Sequence, residues 1–253
     1  MKTIILFASI VLTACSICFG QQITVTGRVE LSRNSAKQSV DSSGAVVWLT
    51  PIGDSARIQS APAQLPPAQP PPAQLPPAQP RAQLLQKKKS FSPHMVVIQV
   101  GSAVEFPNQD PFFHNVFSLF EGRRFDLGLY EAGATRSVVF NRPGISYIFC
   151  NIHPEMSAVV VTLKTPYYGI SDQDGLITIT KVPAGMYDME VWHERVVRES
   201  LNNLKRRITL SATSNSLGIL HLTEQRNFSQ LHQNKYGQAY DNPIPNAPVY
   251  TRP

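Results

Sequence analysis

Four side chains near the middle of the sequence form a candidate metal-binding set: His114, Cys150, His153 and Met156. The last three share one stretch, Cys150-Asn151-Ile152-His153-Pro154-Glu155-Met156, with Cys-x-x-His-x-x-Met spacing. His114 lies upstream, in Phe112-Phe113-His114-Asn115-Val116. A thiolate, two imidazoles and a weak thioether are the ligands of a trigonal mononuclear copper site that moves single electrons. Soft sulfur and borderline nitrogen suit both Cu(I) and Cu(II), and the long bond to Met tunes the potential. Taken alone, a Cys in a β region is usually a small buried hydrophobe. The conjunction of four ligands of three types in order selects the metal instead.

These residues need a rigid frame, and the surrounding sequence reads as β-strands. Strand patterns run over Met95–Val100, Ala103–Phe106, Val116–Ser118, Ser137–Phe140, Ser146–Phe149 and Ala158–Leu163. Turn residues separate them, among them Gly101, Asn108-Gln109-Asp110-Pro111, Glu121-Gly122 and Arg142-Pro143-Gly144. Short strands at this spacing predict a β-sandwich or barrel over 86–164. Upstream, Ile23–Leu31 and Ala45–Leu49 read as two strands. Downstream, strands are expected at Leu176–Thr180, Met186–Trp192, Arg207–Leu210 and Leu217–Leu222. Between the upstream strands and the central region, Ala61–Pro80 repeats Pro-Ala-Gln-Leu-Pro-Pro-Ala-Gln-Pro from Pro62 and from Pro72. Such a stretch is an extended polyproline-type spacer, reaching roughly 60 Å at about 3.1 Å per residue. From Glu224 onward the chain is polar and aperiodic, which predicts a disordered tail over 224–253.

The N-terminus reads as an export signal: Lys2 precedes an apolar or small stretch, Thr3–Thr13, too short to span a membrane comfortably. Two cleavage patterns fit. Cys18-Phe19-Gly20 before Gln21 suits signal peptidase and defines 1–20 as the signal peptide. Leu12-Thr13-Ala14-Cys15 resembles a lipobox, which would lipidate Cys15 and anchor the protein to a membrane. Cleavage after Gly20 leaves Cys150 as the single thiol, unable to form an intramolecular disulfide. The expected location is the periplasm, either soluble or lipid-anchored. The 253 residues carry 23 basic and 17 acidic side chains, for a formal charge of +6. The basic triplets Lys87-Lys88-Lys89 and Lys205-Arg206-Arg207 lack interleaved aromatics, which argues against nucleic acid and for a solvated face.

His114-Asn115-Val116 and Cys150-x-x-His153-x-x-Met156 resemble the cupredoxins, the plastocyanin and amicyanin family, with the amicyanin-like short ligand loop. Supporting residues are Phe91-x-Pro93, Gly101, Val104-Glu105-Phe106-Pro107-Asn108, Pro143-Gly144 and the Tyr147/Phe149 alternation. Phe113 in place of proline before the first His, and Glu155 inside the loop, depart from that pattern. The resemblance implies a Greek-key β-sandwich and one type 1 (blue) copper on His114, Cys150, His153 and Met156. It also implies that Asn115 ties the two ligand loops together, the alternative being an ordinary turn residue. His153 is then the exposed ligand, rimmed by Phe112, Phe113, Ile152 and Pro154, where a redox partner such as a c-type cytochrome or a dehydrogenase docks. The flanks resemble a second family, the transthyretin-like or carboxypeptidase-regulatory-like sandwich. Its hairpin matches Ser171-Asp172-Gln173-Asp174-Gly175-Leu176 followed by Val182-Pro183-Ala184-Gly185-Met186-Tyr187, and its opening strands match Gly27-Arg28-Val29 and Ala45–Leu49.

The expected organisation is all-β: a copper sandwich over 86–164, inserted into a second sandwich split between 21–60 and 165–223, with a linker over 61–85. On this view each unit has its own core, and 86–164 folds alone. Three function classes remain: a periplasmic electron carrier, a copper-storage or surface-binding module, and an oxidase or reductase. Phe149 and Asn151 flank Cys150 where coupled copper enzymes place histidines, and no second histidine-rich cluster is present, so an enzyme is not expected. Asp172-x-Asp174-Gly175 lacks the later ligands of a calcium loop and reads as a tight turn. His94, His193, His221 and His232 read as structural or solvated.

Overall fold

The computed structural model describes residues 22–33, 41–53, 81–119, 121–224 and 234–238. The expected export signal with Cys15 and Cys18, the repeats of 61–80, His232 and most of the expected tail lie outside them. Among the described residues the chain is nearly all β, with one short helix, α1 (Arg198–Asn202). None of the described helices is long and apolar enough to cross a membrane.

The first group of strands draws on both ends of the chain. In β1 (Gln22–Arg33), Ile23, Val25, Val29 and Leu31 are buried and the residues between them face outward. β1 pairs antiparallel with β14 (Leu176–Pro183) and parallel with β17 (Ser216–Glu224). β2 (Val46–Pro51) lies between β13 (Tyr168–Ile170) and β15 (Gly185–Trp192), and β15 is flanked on its other side by β16 (Arg206–Leu210). Segments before residue 53 therefore complete sheets whose other strands follow residue 167. The turn at Asp172–Gly175 locks this join. The Asp172 carboxylate accepts the N–H groups of Asp174 and Leu176, and Val29 N–H donates to the Gly175 carbonyl at 2.7 Å. Gly175 has a φ of +76°, and a Cβ there would collide with the Val29 carbonyl oxygen, so glycine is required.

The second group lies between these halves. Five strands form one sheet in the order β6 (Met95–Gln99), β12 (Ser157–Leu163), β11 (Gly144–Phe149), β8 (His114–Ser118) and β9 (Phe125–Tyr130). A three-stranded sheet has β7 (Ala103–Pro107) between β10 (Thr135–Val139) and β3 (Ala82–Gln83), and β4 (Leu85–Gln86) pairs with β5 (Phe91–Ser92). Val104, Phe106, Phe140, Ile148, Val160 and Met156 share the core of this group.

Strand β12 belongs to two cores at once. Ala158 and Val160 join the core beneath the candidate ligands. Val159, Val161 and Leu163, on the opposite face, are buried in the core of the first group. Met95, Val97, Ile145 and Tyr147 pack there too. The outer face of the five-stranded sheet is thus an internal layer. This differs from the expectation that 86–164 folds alone, because excision would leave that face bare. β9 and β13 were not among the expected strands. In β9, Asp126 and Gly128 (φ +67°) interrupt the pattern of Phe125, Leu127 and Leu129, and the pairing with β8 shifts register there.

Candidate metal centre

The candidate ligands sit at strand ends. His114 opens β8, Cys150 directly follows β11, and Met156 directly precedes β12. Pairing of Phe149 with Phe117 sets β11 beside β8. The loop closes on itself: Cys150 N–H donates to the Met156 carbonyl at 3.2 Å, and Met156 N–H to the His153 carbonyl at 3.1 Å. His114, Cys150 and Met156 are fully buried and His153 is half-buried.

The geometry brings three donors to one point. Cys150 Sγ lies 3.7 Å from His114 Nδ1 and 3.5 Å from His153 Nδ1. One nitrogen or sulfur donor from each of the three residues lies within 4.8 Å of the others. Metal–sulfur and metal–nitrogen bonds of about 2.3 and 2.0 Å, opened to trigonal or tetrahedral angles, separate S and N by about 3.5–3.8 Å. The donor set therefore fits a single ion. Met156 is on hand in the same core, with its backbone bonded to Cys150 and His153.

Electrostatics leave the two imidazoles ready for a metal, whereas Cys150 rests as a thiol that would give up its proton on binding one. Burial pushes the Cys150 thiol up, and the backbone N–H groups of Asn115, Ile152 and His153 offset only part of that rise. Burial also lowers both histidines, His153 to about 4 with help from His114 and Lys89, so both imidazoles are neutral at pH 7. The tautomer of His114 has a structural cause. Its Nε2 lies 2.9 Å from Asp110 Oδ2, with both groups almost wholly buried. A neutral ring donating Nε2–H to the carboxylate leaves the Nδ1 lone pair facing Cys150. Burial alone would raise Asp110, but N–H donors from Lys89 and Lys88 and the His114 contact outweigh it and hold the carboxyl below its usual range. Those N–H groups lie 2.5 Å (Lys88) and 2.9 Å (Lys89) from the two Asp110 oxygens. Both lysines adopt left-handed backbone, φ 55° and 54°, a strained pair that forms a small anion nest for Asp110.

Asn115 contributes on two sides. Its backbone N–H serves Cys150 Sγ, and its Nδ2 donates to Asp126 Oδ1 at 2.7 Å. Its buried Oδ1 has no partner among the described residues. Around His153, the Phe112 ring packs at 5.6 Å, Phe113 and Ile152 are 49% and 43% exposed, and Pro154 is half-buried. The Lys89 ammonium lies 5.8 Å from the Phe112 ring centre. Sequence reasoning did not single out Asp110, which reads as a turn residue, or the Lys88–Lys89 nest, since lysine carries no left-handed signal. The other described histidines lie elsewhere: His94 pairs with Glu194 at 2.7 Å, His193 meets the Ser43 carbonyl at 3.2 Å, and His221 meets Glu30 at 3.3 Å.

The chain matches no family model and no curated protein. Among solved structures it is similar to a purple cupredoxin from Nitrosopumilus maritimus, at 24% identity and a TM-score of 0.30, over 32% of this chain and 99% of that one. It is similar to the copper-containing nitrite reductase of Thermus scotoductus SA-01, at 24% identity and a TM-score of 0.32. That likeness covers 34% of this chain and only 23% of the reductase. A point mutant of amicyanin in its Cu(I) form is 19% identical, with a TM-score of 0.32, over 34% of this chain and 85% of that one.

Proposed function

We propose that this chain is an exported, periplasmic electron carrier with one mononuclear type 1 copper held by His114, Cys150, His153 and Met156. The observation that carries this reading is the convergence of two neutral imidazole Nδ1 atoms on one buried cysteine sulfur, at 3.5 and 3.7 Å. Copper bound there supplies a one-electron couple. The protein's own residues do the rest. Asp110 orients His114, and three backbone amides favour the Cys150 thiolate. Strands on both sides hold the ligand loop at fixed separation, and burial excludes water from three of the four ligands.

His153 is the one candidate ligand with exposed surface, so its edge is the exit for the electron. The apolar rim of Phe112, Phe113, Ile152 and Pro154 gives a desolvated contact for a redox protein, such as a c-type cytochrome or a dehydrogenase. The positive charge of Lys89 at that rim suits an acidic partner face. No substrate is transformed at this site in our reading.

The test uses the chain without its first 20 residues, loaded with Cu(II). An intense thiolate-to-copper absorption in the visible is expected, with a matching electron-paramagnetic signature. Cys150→Ser removes the band while the β-sheet circular dichroism stays. A colourless complex of the unaltered protein with ordinary tetragonal spectra rejects the proposal. A coloured protein that cannot be cycled reversibly between its two redox states favours copper storage over electron transfer.

A further inference from the structure

The short segment Asn234–Gln238 is remote in sequence from the candidate ligands yet bonds to the residues beside two of them. It is a closed turn. Gly237 N–H donates to the Asn234 carbonyl at 2.9 Å, and Asn234 Oδ1 accepts the N–H groups of Tyr236 and Gln238 at 2.9 and 3.0 Å. The turn reaches the candidate metal centre through one residue, Lys235. Lys235 N–H donates to Asn151 Oδ1 at 2.9 Å, and Lys235 Nζ donates to Asp126 Oδ2 at 2.9 Å. Asn151 directly follows Cys150. The other oxygen of Asp126 accepts Asn115 Nδ2 at 2.7 Å, and Asn115 directly follows His114. A continuous chain of hydrogen bonds therefore runs from the His114 strand through Asn115, Asp126 and Lys235 to the Cys150 loop.

We propose that Lys235 is a positioning residue of the metal centre, clamping the His114 segment to the Cys150 segment from outside; the claim rests on the metal reading above. The side chain of Asn115 makes only half of this link. Its amide nitrogen is committed to Asp126, and its buried oxygen meets no polar partner among the described residues. Lys235 supplies the other half because it offers two donors, a backbone N–H and an ammonium group set apart by the length of its side chain. The ammonium also compensates the Asp126 carboxylate: burial alone would raise Asp126, but Lys235, Gly128 N–H and Asn115 together hold it below its usual range. Lys235 and Asp126 are each about a quarter to a third exposed (24% and 34%), so the clamp is strong enough to bias the loop and weak enough to open. Elements of this kind, held by a few polar contacts, sit at the low-stability end of a fold.

The experiment compares the chain without its first 20 residues, in which Cys150 is the single thiol, with its Lys235→Met, Lys235→Arg and Gln238→Ala variants. The first readout needs no metal: the rate at which a thiol reagent modifies Cys150 in the metal-free protein. Cys150 is fully buried, so modification requires the loop to open. Losing one partly exposed ion pair and its hydrogen bond predicts a rise of about three- to fivefold for Lys235→Met. Lys235→Arg, which keeps the cation and the backbone donor, restores the original rate. Gln238→Ala, at an exposed side chain that bonds Asn234 through its backbone, leaves the rate unchanged. The second readout, with Cu(II) alone as probe, is the rate of copper loss to a chelator, expected to rise with the same pattern across the variants.

An unchanged modification rate in Lys235→Met overturns the proposal. So does a rise matched by an equal loss of global stability in urea, since Lys235 would then act on the whole fold. If the unaltered protein shows no thiolate-to-copper band, the metal reading fails by itself, and the metal-free rates still decide whether Lys235 clamps the loop.

Discussion

Cutting the chain to residues 81–164 should give a piece that does not fold stably, although it contains every candidate ligand. The reason is the outer face of β12. Val159 and Val161 are fully buried and Leu163 is 4% exposed, all three against residues that the cut removes. Full burial of one such side chain contributes about 1.5–3 kcal/mol, so uncovering three withdraws about 5–9 kcal/mol as an upper estimate. Met95, Val97, Ile145 and Tyr147 add to the loss. A whole domain is stable by only about 5–15 kcal/mol. The fragment is therefore expected to aggregate, or to bind a hydrophobic dye and melt in urea without a cooperative transition. Val159→Thr, Val161→Thr and Leu163→Thr together should restore a cooperative transition, because they make the uncovered face polar while keeping strand-compatible side chains. A soluble monomeric fragment with the unaltered sequence, unfolding cooperatively within about 1 kcal/mol of the intact protein, would refute the shared-layer argument.

Asp110→Asn should weaken copper binding by about 10–100-fold in a chelator competition, because the partner that orients His114 loses its charge; an unchanged affinity counts against that role. Gly175→Ala should lower stability by at least about 2 kcal/mol in urea, combining the left-handed penalty with the Val29 collision; a loss below about 0.5 kcal/mol contradicts the packing described. His94 is raised above its ordinary 6.5, chiefly by its hydrogen bond to Glu194. A raised folded-state value means that its contribution is fully present below pH 6.5 and is lost as the pH rises through the raised value. The stability gap between the protein and His94→Gln should therefore be widest in mild acid and close toward alkaline pH; a gap that widens with pH excludes the ion pair as its source.

The spacing of Cys150, His153 and Met156 was readable because a tight loop must carry its ligands in sequence. His114 was readable because a strong ligand type stood in a strand-forming context. The support for His114 was hidden. Asp110 lies in Asn108-Gln109-Asp110-Pro111, where turn chemistry already accounts for an aspartate, and its nest is built from lysine backbone. Lys235 was out of reach because its tie to Asn151 is tertiary and nothing in the surrounding polar sequence marks it. The strand at Phe125–Tyr130 was obscured by Asp126 and Gly128, which read locally as a turn. The double burial of β12 did leave a trace. Ala158-Val159-Val160-Val161-Thr162-Leu163 is a nearly continuous apolar run, and a strand covered on one face only would alternate.

The split pairing of β1 and β2 also has a consequence for how the chain is made. Ala45 N–H waits for the Ser171 hydroxyl, 126 residues later, and Arg33 waits for Glu224, 191 residues later. At a synthesis rate of about 5–20 residues per second, the latter interval is roughly 10–40 s. For most of that time, until β14 (Leu176–Pro183) is made, β1, with its alternating Ile23, Val25, Val29 and Leu31, has none of its strand partners, while the whole metal-binding region emerges behind it. An unpaired apolar strand is the kind of segment that aggregates or recruits a holding chaperone. The order of synthesis thus leaves the first described strand waiting longest for its partners, and the ribosome's pace bears on yield alongside the stability of the finished fold.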